Sequence, residues 1–81
     1  MQITVLFHSY FKELTGCAQT TETLAAGSSI SELLSRLIAR FPKLGGMSNS
    51  ALIAVGVDYQ GRGHVLQHGD EVSLFPPVQG G

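Results

Sequence analysis

The segment Phe75-Pro76-Pro77-Val78-Gln79-Gly80-Gly81 puts a carboxylate at the tip of the slimmest backbone a protein can make. Glycine has no β-carbon, so Gly80 and Gly81 can enter a slot too narrow for any side chain. Proline fixes φ at residues 76 and 77 and biases the residue before it toward extended geometry. Beyond that stiff root, Val78 and Gln79 complete a thread that reaches about 20 Å from Pro76 when fully extended. A carboxylate is a poor electrophile until it is converted into an acyl-phosphate anhydride, after which sulfur or nitrogen can attack it. No residue of the chain looks equipped for that conversion, so a partner has to perform it. The expectation is that Gly81 is the working atom group and that residues 78–81 are its flexible arm.

Other candidates carry weaker signals. His64 and His68 are four residues apart, a spacing that suits a metal on a helix, but Gly63 and Gly69 make this region a turn and no third ligand is evident. His8 has no recognisable nucleophile beside it and reads as a surface or patch residue rather than a general base. Cys17 is the single cysteine, which excludes an intrachain disulfide and a cysteine-built metal cage. Its plain reading is a small, half-buried side chain next to a turn. Ser29 and Glu32 fit a helix-capping pattern and not a catalytic pair.

Composition narrows the function classes further. The 81 residues leave room for one domain with one modest core, which hides roughly 60–65% of the unfolded surface. Hydrophobic residues make up 43% and charged residues 14%, too apolar a mixture for a disordered acidic or basic tail. The net charge is −1 and the five basic residues are scattered, so no electrostatic footprint for nucleic acid is present. The longest apolar runs fall well short of a membrane span. With a lone cysteine and no secretory leader, a reducing, cytoplasmic setting is expected.

The elements that position the terminal arm follow from periodicity. "QITVLFHS" alternates Ile3, Val5 and Phe7 against Leu6 and His8, the period of a strand with one buried face. "YFKELTG" allows one turn of helix closing at Gly16. "QTTETL" reads as a threonine-rich edge strand forming a hairpin with the first. In "SSISELLSRLIARFP", Ile30, Leu33, Leu34, Leu37, Ile38 and Phe41 form one apolar stripe, and Pro42 ends the helix at or just before Phe41. "KLGGMSNS" reads as loop and "ALIAVGV" as an interior strand. "DYQGRGH" reads as a turn, followed by a short strand around Val65, and "EVSLF" closes the sheet before Pro76 and Pro77 stop pairing.

This order predicts an α+β fold of two layers, one helix across one mixed sheet, with the last strand beside the first. That is the β-grasp arrangement known from ubiquitin, formed by residues 1–77. If Ile3, Val5, Phe7, Val72 and Leu74 face the helix, Leu6, His8 and Phe75 share the opposite face, extended by Tyr59. Exposed apolar clusters of this kind mark partner sites. The patch, together with Pro76 and Pro77, is the expected docking surface beside the arm.

"GDEVSLFPPVQGG", after a Val/Ala-rich strand and a central amphipathic helix, resembles the sulfur-carrying small subunits of molybdopterin synthase. The resemblance covers the whole chain in length and element order, and its specific part is the last dozen residues. It implies that an ATP-using activating enzyme of the ubiquitin-activating type adenylates Gly81, and that sulfur replaces AMP to leave a thiocarboxylate. It also implies a large catalytic subunit that receives Val78, Gln79, Gly80 and Gly81, in an assembly of two small and two large subunits. There the sulfur passes to cyclic pyranopterin monophosphate. No cofactor bound by this chain is implied. Two features depart from the family pattern: Gly56 stands where asparagine is common, and Gln79 where a small or hydroxylated residue is. Carriers for thiamine synthesis also end in diglycine, and a ubiquitin-like modifier or a plain interaction domain are further readings of the same arm.

Overall fold

The structure, a computed structural model, describes residues 1–46 and 50–77. In chain order these form β1 (Gln2–Phe7), α1 (Phe11–Thr15), β2 (Gln19–Thr23), α2 (Ile30–Arg40), a 3-10 turn at Pro42–Leu44, β3 (Leu52–Val55), β4 (Asp58–Tyr59) and β5 (Glu71–Phe75). The five strands lie in the order β2-β1-β5-β3-β4. β1 and β5 run parallel at the centre, and the other pairings are antiparallel. One main helix on one face of a mixed sheet, with first and last strands adjacent, is the expected β-grasp fold.

Alternation sorts the side chains of the central strands. Ile3, Val5 and Phe7 of β1 and Val72 and Leu74 of β5 are buried against α2, which contributes Ile30, Leu33, Leu34 and Leu37. Each fully buried aliphatic side chain stabilises the fold by about 2 kcal/mol. The helix starts where the sequence expects it. Ser29 Oγ accepts from the Glu32 amide at 3.3 Å, and Glu32 Oε1 accepts from the Ser29 amide at 3.2 Å. It ends at Arg40, because the ring of Pro42 holds Phe41 out of helical geometry (φ −128°, ψ 79°). Phe41 still packs, edge-on against Phe7 with centroids 5.7 Å apart. The short helix α1 closes on Gly16 in left-handed geometry, also as expected.

Two expectations fail in the stretch between β3 and β5. Asp58–Tyr59, read as turn, is the strand β4, pairing Ala54 with Tyr59 and Val55 with Asp58. The turn is shorter and earlier: Gly56 and Val57 alone connect the strands. Gly56 takes φ 61°, the positive value that the first central residue of a type II′ hairpin turn requires. Val65, read as the centre of a short strand, makes only an isolated bridge to Ser29. Gly61 and Gly63 flank a bend that carries the chain back under α2, where Leu66 is buried and its amide donates to the Ser28 carbonyl.

Among the described residues, no helix is long and apolar enough to cross a membrane.

Candidate functional site

The face of the sheet turned away from α2 carries the residues that the alternation of β1 and β5 had set apart. β5 is in register with β1, Leu6 opposite Ser73 and Phe7 opposite Leu74, and the His8 amide donates to the Leu74 carbonyl at 3.1 Å. This extends the pairing by one residue and brings His8 beside Phe75. The two rings stack, with centroids 4.3 Å apart and planes 9° from parallel. From the other side Tyr59 meets Phe75 edge-on at 6.4 Å. Phe75 is therefore half-buried between two rings, one from the residue just after β1 and one from β4, immediately before the two prolines.

The Phe75 and Tyr59 rings form one wall of a shallow groove of about 410 Å³, lined by Ser9, Tyr10, Leu52, Tyr59, Phe75, Pro76 and Pro77, with His8 stacked against Phe75 outside the lining. Its lining is mostly apolar, and Leu52 and Tyr59 expose 38% and 68% of their surfaces there. Leu6 shares the sheet face and is half-buried, but it lies one register step back, beside Ser73, and does not line the groove. The expected docking residues thus divide: His8 and Tyr59 each touch Phe75, Pro76 and Pro77 follow it, and Leu6 flanks them. Val78, Gln79, Gly80 and Gly81 lie outside the described residues.

Three groove residues escaped the sequence reading. Leu52 pairs with Phe75 across β3 and β5, so its side chain falls on the same face. The alternation of "ALIAV" held that signal, since Ile53 is buried and Leu52 is its outward neighbour, but a nearly continuous apolar run hides the phase. Ser9 and Tyr10 come from the turn into α1. Ser9 takes φ 57°, a left-handed geometry uncommon for a residue with a side chain. No sequence pattern announces it.

Polar chemistry at the site is sparse. His8 Nε2 is buried and has no hydrogen-bond partner among the described residues. The imidazole lies flat against the Phe75 ring. His68 is occupied elsewhere, its Nδ1 accepting from the Gln2 amide at 3.0 Å. No group of three or more His, Cys, Asp or Glu side chains that could hold a metal ion occurs among the described residues. What the groove offers is an apolar surface beside the point where the C-terminal segment leaves the sheet.

Comparison with known proteins bears on what lands there. The family model described as "ThiS family" matches residues 5–81. The chain belongs to the ThiS family. Among curated relatives, the molybdopterin synthase sulfur carrier subunit of Chlamydomonas reinhardtii is 33% identical over the whole of both chains. Two solved structures show how widely the fold of this ThiS-family chain is shared. SAMP1 from Haloferax volcanii, a small archaeal modifier protein, superposes with a TM-score of 0.86 at 20% identity, covering all of both chains. A complex of subunits 1 and 2 of molybdopterin-converting factor from Helicobacter pylori contains a chain that matches with a TM-score of 0.72 at 24% identity, again over both full lengths.

Proposed function

We infer that this ThiS-family protein is the sulfur-carrying small subunit of a molybdopterin synthase. The observation that carries the reading is full-length identity of 33% with a sulfur carrier subunit of that enzyme, in a chain that ends Phe75-Pro76-Pro77-Val78-Gln79-Gly80-Gly81. In this reading the Gly81 carboxylate attacks the α-phosphorus of ATP in a separate activating enzyme, releasing pyrophosphate. A sulfur nucleophile then displaces AMP and leaves a thiocarboxylate. The loaded arm enters the large subunit, which carries the catalytic groups and directs the sulfur to cyclic pyranopterin monophosphate. The small subunit contributes position and a reactive tip. Its groove at Pro76 and Pro77 gives either partner a surface to grip while the arm is in use.

Mass spectrometry after incubation with the activating enzyme, ATP and a sulfur donor tests this. Exchange of one terminal oxygen for sulfur supports the carrier, and failure of the thiolated form to convert the pyranopterin with a large subunit would redirect it to another pathway, such as thiamine synthesis. Adding one alanine after Gly81 is expected to abolish transfer and leave the fold intact. A second reading, a protein modifier joined through Gly81 to lysine, draws support from the fold it shares with SAMP1. Branched lysine peptides in the same experiment would favour it.

A further inference from the structure

The sheet has two outer strands, and the one farthest from the groove is held by an unusual contact. In the hairpin β1–β2, Met1 and Leu24 exchange both backbone hydrogen bonds, and the Phe7 amide donates to the Ala18 carbonyl. Alternation along an antiparallel pair then fixes the rest: Thr20 and Glu22 bond inward to β1, and the backbone groups of Gln19, Thr21 and Thr23 point outward. Such an edge is a template for another strand. Here Arg40, from the last turn of α2, reaches over it. Its Nη1 donates to the Thr21 carbonyl at 3.2 Å and to Glu22 Oε2, and its Nη2 donates to Thr20 Oγ1 at 2.9 Å. Glu22 is only 5% exposed and anchors the guanidinium in place.

We propose that the outer edge of β2 is a latent pairing surface for a second copy of this chain, kept shut by the Arg40–Glu22 ion pair. The edge is complementary to itself. A two-fold axis at Thr21 sets Thr21 against its counterpart and Gln19 against Thr23 of the other copy. The residues whose backbone groups would form the new bonds, Gln19, Thr21 and Thr23 of each copy, are uncharged, none is proline, and threonine suits a strand; Glu22 lies between them with its side chain turned to Arg40. The carbonyl that Arg40 occupies is the one at the axis, where the new ladder has to form first. The same axis would bring the two guanidinium groups together, so the cation blocks by repulsion as well as by occupancy. Pairing at β2 would leave the groove beside β4 uncovered, because the two lie at opposite edges of the sheet.

Arg40→Leu alone leaves Glu22 buried and unpaired, so the test uses Glu22→Gln/Arg40→Leu beside the single variant and the parent chain. Light scattering over a concentration series and amide hydrogen exchange are measured on each. The parent should remain monomeric, while the double variant should double in mass as concentration rises, with Thr21 and Thr23 amides gaining protection. A double variant that stays monomeric overturns the proposal. So does a dimer whose Thr21 and Thr23 amides exchange as in the parent, or a parent that already dimerises through this edge.

Discussion

The imidazole of His8 lies flat on the ring of Phe75, 4.3 Å between centroids, and offers its buried Nε2 to nothing among the described residues. A buried polar atom without a partner costs about 1–3 kcal/mol, which offsets part of what the stack contributes. His8→Phe should keep the plate, remove the orphaned nitrogen and raise stability by about 1 kcal/mol in urea denaturation. His8→Ala should lower it by losing the stack. A less stable His8→Phe would mean that the nitrogen has a use that the free chain does not reveal.

Phe75 is held by rings on two sides yet remains half-buried, so its removal should be felt more in docking than in folding. Phe75→Asp is expected to retain the circular dichroism of the parent and to weaken binding to both the activating enzyme and the large subunit by about tenfold or more. Titration calorimetry with each partner measures this. Unchanged affinity for both would remove the groove from the docking surface.

Arg40 and Glu22 make a partly buried pair, and breaking one side leaves the other without compensation. Arg40→Ala should cost about 2 kcal/mol, less than for a fully buried pair because the arginine is itself well exposed. Adding Glu22→Gln should recover much of the loss. The comparison of the two denaturation midpoints checks the expectation without reference to association.

Gly56 holds φ 61° with open space where a β-carbon would stand, so the constraint there is backbone geometry alone. Gly56→Asn should cost less than Gly56→Val, because asparagine tolerates positive φ better than a β-branched residue, and Gly56→Val should cost about 1–2 kcal/mol. Thermal unfolding of the two variants separates them.

The helix α2 and the central strands were legible because each carries its own local signal. The Ser29–Glu32 box, the Pro42 stop and the alternation of Ile3, Val5 and Phe7 need no knowledge of the rest of the chain. β4 was not legible. Two residues next to a glycine-rich stretch have no period, and Tyr59 becomes a strand residue only because Ala54 lies across from it. The groove divides along the same line. His8 and Phe75 beside it follow from which way β1 and β5 face, but Tyr59 depends on β4, Leu52 on the pairing of β3 with β5, and Ser9 and Tyr10 on a backbone turn that no residue pattern encodes.

The parallel contact of β1 with β5 also bears on synthesis. β5 joins two half-sheets, β2-β1 on one side and β3-β4 on the other, so neither half can be completed before Phe75 is available. A nascent chain stalled upstream of Glu71 would present two unjoined hairpins and an uncovered helix to the proteases of the cell. A truncation upstream of Glu71 therefore removes the seam of the sheet and not merely the terminal segment.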